Sequence, residues 1–134
     1  MKKLLSVLLS VLMVFALAGC SKKVTVDSLL GSYQDSVSQR ATAEVGKVDD
    51  NTVEIEIHWS SSAENSDEWI IKAKIDGKKL TYGENDFTHF SITGETSTIV
   101  ENEPAGYFEV KDGKLAWTGS GVDATATCVF EKVQ

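Results

Sequence analysis

Residues 52–59 alternate with a period of two. Val53, Ile55, Ile57 and Trp59 fall on one side, and Thr52, Glu54, Glu56 and His58 on the other. A strand with one face in a core reads this way. Residues 68–75 repeat the pattern, with Trp69, Ile71, Ala73 and Ile75 on one face, Lys72 and Lys74 on the other, and Ile70 interrupting the polar face. If the two strands are antiparallel neighbours, Glu54 and Glu56 face Lys72 and Lys74, each pair contributing about 0.2–1 kcal/mol. Asp76-Gly77 marks a hairpin turn into residues 79–82, and Asp112-Gly113 marks another between residues 107–110 and 115–117. Weaker alternation predicts strands over residues 40–45, 88–93 and 96–101, and a last strand over residues 124–132. The Ser-rich residues 60–67 read as a loop. Residues 27–31 read as one helical turn, capped by Asp27 or Ser28 and ended by Gly31. No helical period is sustained after residue 31. The expected fold is all-β, an antiparallel meander of about 8–10 short strands. Closure into a barrel removes the exposed edges of so long a sheet, and a two-sheet β-sandwich is the alternative.

The N-terminus follows a different pattern. Met1-Lys2-Lys3 is positive, residues 4–17 are apolar except for Ser6 and Ser10, and small residues lead to Cys20. That is the layout of a secretory signal peptide, and the apolar run is shorter than the roughly 20 residues of a membrane span. Leu17-Ala18-Gly19-Cys20 resembles the lipobox of bacterial lipoproteins. The resemblance implies a signal peptide over residues 1–19, cleavage before Cys20, and diacylglycerol on its thiol. It places the protein outside the cell, lipid-anchored on the outer face of the membrane. Two acyl chains hold a protein stably where one does so only marginally. Residues 20–28 then form the lipidated N-terminus and tether, and residues 29–134 the β domain. The stretch 21–26 spans roughly 20 Å when extended, which keeps the domain near the bilayer.

Leu29-Leu30-Gly31-Ser32-Tyr33 resembles the entry of the lipocalin superfamily, where a helical turn leads into Gly-x-Trp on the first strand. Tyr33 stands here in place of the tryptophan. The resemblance implies a lipocalin-like barrel, with Lys132 as the basic residue that packs over the aromatic ring. Gly31-Ser32-Tyr33-Gln34-Asp35-Ser36, Ile57-His58-Trp59, Leu115-Ala116-Trp117 and Cys128-Val129-Phe130-Glu131 are similar to a set of small uncharacterised Gram-positive lipoproteins. That likeness implies a Gram-positive envelope and transfers no site.

Charge narrows the partners. The full chain carries 13 Lys+Arg against 20 Asp+Glu, a net −7. Loss of Lys2 and Lys3 with the leader takes this to −9. So acidic a domain is unsuited to nucleic acid and favours cationic partners. With Cys20 lipidated, Cys128 has no partner within the chain, and its place in an apolar strand predicts a buried, inert thiol.

Candidate chemistry is sparse. His58 and His89 lack metal-ligand spacing and read as surface or loop residues. The acidic clusters Asp49-Asp50-Asn51, residues 64–68 and Glu84-Asn85-Asp86 lack the pattern of a calcium loop and read as turns. No nucleophile elbow occurs, and Gly119-Ser120-Gly121 has the serine without the spacing. No catalytic residue, metal ligand or cofactor site is assigned. The aromatic residues Tyr33, Trp59, Trp69 and Trp117 remain as possible ligand-lining side chains of a barrel that either fills its interior or holds one small molecule. The expected function is a non-catalytic, membrane-anchored binding module for a small ligand or a protein partner. The alternative is an inhibitor or shield against a basic host enzyme such as lysozyme.

Overall fold

The computed structural model describes residues 23–119 and 128–133. Cys20, the leader and residues 124–127 of the expected last strand lie outside the described residues. A short helix, α1 (Val26–Leu29), precedes ten strands: β1 (Gly31–Asp35), β2 (Ala41–Asp49), β3 (Thr52–Ser60), β4 (Asn65–Asp76), β5 (Lys79–Thr81), β6 (Phe87–Thr93), β7 (Thr96–Val100), β8 (Tyr107–Lys111), β9 (Lys114–Thr118) and β10 (Cys128–Lys132). Every pairing is antiparallel.

The ten strands close into an eight-position barrel. The ring runs β1, β2, β3, β4, β5, β8, β9, β10 and back to β1. β4 is long enough to carry two neighbours on one side: β6 along residues 65–71 and β5 along residues 74–76. β7 pairs with β6 as β8 pairs with β5. The fifth ring position is therefore an interrupted strand, β5 and β6, and the sixth is β7 and β8. The first interruption is a compact turn at residues 82–86. There the Asp86 carboxylate accepts from Gly83 N at 2.8 Å, and the Asp86 carbonyl takes Lys72 N. The sandwich alternative falls to ring closure, and the lipocalin-like barrel stands.

The entry to the barrel has the geometry expected of that fold. Thr25, not Asp27 or Ser28, caps α1: its hydroxyl accepts from Ser28 N, and Ser28 Oγ returns to the Thr25 backbone. Val26 and Leu29 are buried in the core, so packed structure begins ahead of residue 29. Tyr33 Oη donates to the Leu29 carbonyl at 2.7 Å. Lys132 Nζ lies 5.8 Å from the Tyr33 ring centroid and donates to Ser28 O. Gly31 has φ +136, and a Cβ there would meet Lys132 Cε at 2.9 Å, so this position suits glycine alone.

The inward faces of the strands build one core. Val53, Ile55, Ile57, Trp69, Ile71 and Ala73 all point in, as their alternation predicts. Trp117 sits at its centre. It stacks on Phe108 at 5.8 Å, meets Trp69 edge-on at 5.1 Å, and donates Nε1–H to Tyr82 Oη at 2.9 Å. Burying each such side chain contributes about 1.5–3 kcal/mol. On the outer face one of the two expected ion pairs is in register: Glu54 lies opposite Lys72. Glu56 lies opposite Ile70, and Lys74 opposite Thr52. The Ser-rich loop is shorter than expected, because Asn65, Ser66 and Asp67 join β4 and pair with β6.

Candidate functional site

β6 carries apolar residues on both faces, Phe87 on the side of His89 and half-buried Phe90 and Ile92 on the other, and His89 is the residue of the strand that is buried, 7% exposed. Pairing with β4 sets this phase. His89 lies directly opposite Trp69, and Phe87 opposite Ile71, so all four share the inner face. The expectation that His89 is a surface or loop residue is thus corrected. His58 does lie on the exposed face, 3.2 Å from Glu68 through Nδ1.

His89 is held on three sides. Its ring stacks on the Trp69 indole at 4.1 Å and 17°. Nε2 is 2.7 Å from Asp67 Oδ1, and Nδ1 is 2.7 Å from Glu103 Oε1. Asp67 comes from β4, where the sequence suggests a loop. Glu103 comes from the connection between β7 and β8. The side chains of His89, Glu103 and Asp67 are 8%, 14% and 28% exposed. The second oxygen of Glu103, Oε2, is buried and has no hydrogen-bond partner.

A cleft of about 520 Å³ opens beside this cluster, between the β5–β6 turn and the β7–β8 connection. Glu84, Asn85, Glu101, Asn102 and Glu103 give it a polar, acidic wall, and Phe87, Val100 and Pro104 give it apolar surface. Glu84 and Asn85 belong to one of the acidic clusters read as turns; they do sit in a turn, and it borders the cleft.

The aromatic residues singled out from sequence are placed around the core. Tyr33 and Trp117 are 2% and 1% exposed, and their polar atoms bond to Leu29 and Tyr82. Burial raises the Tyr33 phenol above its ordinary range. Trp59 is half-buried against the core on β3, opposite Asp67. Trp69 stacks on the His89 ring itself. Of the cleft residues only Glu84 and Asn85 stood out in the sequence, as part of an acidic turn; residues 100–104 carry no local pattern, and β6 and β7 bring them beside that turn.

A second buried polar cluster lies at Asp35, fully buried at the end of β1. Burial pushes its carboxyl up, but hydrogen bonds outweigh this and hold it below the ordinary carboxylate range. The Ser38 hydroxyl and Ser38 N donate to Oδ2, and Val37 N and Val129 N donate to Oδ1. Cys128 is free and buried beside it. Burial, then the negative charge of Asp35, push its thiol up to about 12. A thiol so poor in thiolate is no nucleophile, in line with the inert role expected of it. Among the described residues no group of three or more His, Cys, Asp or Glu side chains is arranged to hold a metal ion.

Comparison with protein-family models, with curated proteins and with solved structures gave no significant match. The function is therefore read from the geometry of this chain.

Proposed function

We propose that this protein is a non-catalytic binding module, held on the outer face of the cell membrane by lipid on Cys20, with the cleft beside His89 as its ligand site. The cleft is the observation that carries the proposal. At about 520 Å³ it falls within the range of small-molecule sites. Carboxylates over an apolar floor suit a ligand, or a protein segment, that is cationic at one end and apolar at the other. The net charge, −7 with the leader and −9 without Lys2 and Lys3, favours the approach of such a partner. A binding role rather than a catalytic one is supported by His89. Both of its ring nitrogens are taken by carboxylates of the protein, so neither is presented to a substrate. The anchor rests on the lipobox resemblance of Leu17-Ala18-Gly19-Cys20.

The test has two arms. A cationic amphiphile such as dodecyltrimethylammonium, titrated below its micelle concentration, should quench or shift tryptophan fluorescence saturably. Glu84→Gln with Glu101→Gln should weaken that binding several-fold, and added salt should weaken it too. Binding that ignores both changes refutes the cleft as the site. For the anchor, Cys20→Ala should release the protein from membranes or block its processing, and normal membrane retention of that variant refutes the lipid attachment. The acidic rim also favours an encounter with a basic enzyme. Lysozyme activity unchanged by the protein at low salt removes that second reading.

A further inference from the structure

We infer that Asp67, His89 and Glu103 form a proton-dependent latch that fixes the β7–β8 connection, and with it one wall of the cleft, to the side of the barrel. The inference follows from counting protons. Both ring nitrogens of His89 lie 2.7 Å from a carboxylate oxygen. A neutral imidazole has one N–H and one lone pair, and an ionised carboxylate only accepts. Two hydrogen bonds therefore need two protons in the cluster, as in an imidazolium between two carboxylates. With one proton fewer, a nitrogen lone pair faces a carboxylate lone pair at hydrogen-bond distance, and one contact must open.

The structure decides which contact that is. Asp67 is fixed in β4, paired with Trp59 on one side and Ser91 on the other. Glu103 stands in a connection that belongs to no strand. Its Oε2 is buried without a partner, so the bond to His89 is what holds the carboxylate in. Loss of the proton releases Glu103 and loosens residues 101–105, which supply most of one cleft wall.

Among the described residues no other cation bonds to the two carboxylates in place of His89. β4 contributes Asp67 and the Trp69 face, which attracts a cation above it. Glu68 is on the other face of β4, beside His58. β7 presents Val100 opposite His89 and has no ionisable residue along Thr96–Val100. β6 adds no other ionisable side chain. The connection adds Glu103, and Glu101 on the cleft. Opening and closing thus follow the second proton of the cluster. The latch stands on this geometry alone, and only its effect on ligand entry rests on the binding role proposed above.

The experiment follows the full chain by NMR between about pH 5 and pH 8, the interval in which histidine serves as a switch. Ring nitrogen shifts of His89 and amide exchange across residues 101–106 are recorded together, with half-exposed His58 as the control. Amide exchange in the connection should rise at least about tenfold as His89 loses its proton, while β3 and β4 stay unchanged. Glu103→Gln can donate its amide N–H to a neutral ring nitrogen, so it should keep the connection protected at both ends of the range. His89→Gln cannot donate to both carboxylates and should leave it unprotected throughout. A His89 that does not titrate in this range, or one that titrates with no change in the connection, overturns the latch. So does a connection equally protected in His89→Gln. No ligand enters these measurements, so failure of the latch leaves the cleft proposal standing, and failure of the amphiphile titration leaves the latch standing.

Discussion

Asp35→Asn is the sharpest test of how the barrel is held together. Asp35 is 0% exposed and accepts from Val37 N, Val129 N, Ser38 N and the Ser38 hydroxyl, two on each oxygen, with the Cys128 thiol bonded to it as well. These tie the β1–β2 turn to itself and, through Val129 N, to β10. Asparagine keeps one acceptor oxygen, which can retain Val37 N and Val129 N. Its amide nitrogen then faces Ser38 N as donor against donor. The variant loses charge assistance on two bonds and leaves the part-buried Ser38 N–H without its acceptor. With charged hydrogen bonds contributing about 1.5–3 kcal/mol against about 0.5–1.5 kcal/mol for neutral ones, and a part-buried donor costing the low end of about 1–3 kcal/mol, the loss is about 2–3 kcal/mol. That is a large share of the roughly 5–15 kcal/mol of a typical domain. The effect depends on pH in a stated direction. The carboxyl lies below its ordinary value of 3.8 in the folded protein. Its contribution is therefore present above that value and is lost as pH falls through the folded pKa. Urea unfolding, followed by fluorescence of Trp59, Trp69 and Trp117, should show a midpoint lower by roughly 2–3 M in the variant near neutral pH. The gap should hold down to about pH 5 and narrow in stronger acid. A variant within about 0.5 kcal/mol of the parent at neutral pH, the scatter of ordinary surface changes, refutes the reasoning. So does a gap of constant size down to the acid limit.

Gly106→Ala should destabilise by at least about 3 kcal/mol, because its Cβ would sit 1.9 Å from Thr118 O and 2.8 Å from Gly119 Cα; thermal melting checks it. Gly46→Ala is the matched control: its Cβ meets nothing within 4 Å at an exposed position of β2, and reduced unfolded-chain entropy should stabilise it by about 0.4–1 kcal/mol. Cys128, with its thiol pushed up to about 12 by burial and by Asp35, should resist a thiol reagent in the native protein and react fully in strong denaturant; rapid native labelling at this position contradicts the inert assignment. Tyr33→Phe keeps the ring beneath Lys132 but strips the donor from Leu29 O, at a cost of about 1–2 kcal/mol by urea unfolding.

The sequence determined the fold class and most of the strands by itself. Where a strand is bounded by a turn signal and alternates cleanly, as at Val53, Ile55 and Ile57 or Leu115 and Trp117, burying one face leaves a single phase open to it. The Gly31-Ser32-Tyr33 entry and its partner Lys132 were legible only through their resemblance to the lipocalin entry, and the structure places Lys132 Nζ 5.8 Å from the Tyr33 ring. Cys128 followed from its apolar strand. Only the tertiary structure decided the phase of β6. Its apolar residues fall on both faces, Phe87 on one and Phe90 and Ile92 on the other, so hydrophobicity leaves the phase open, and pairing with β4 aligns His89 with Trp69 on the inner face. One residue of register thus converts an unremarkable histidine into the buried centre of a charged cluster. Asp67 and Glu103 are 36 positions apart in the chain, one from a stretch that reads as a loop and one from a connection without a pattern. No local period brings them together. The long β4, which carries β5 and β6 on the same side, opens the wall there and lets Glu103 reach His89. Local patterning fixes which face of a well-marked strand is buried, whereas the meeting of side chains across strands depends on register, which only the closed barrel supplies.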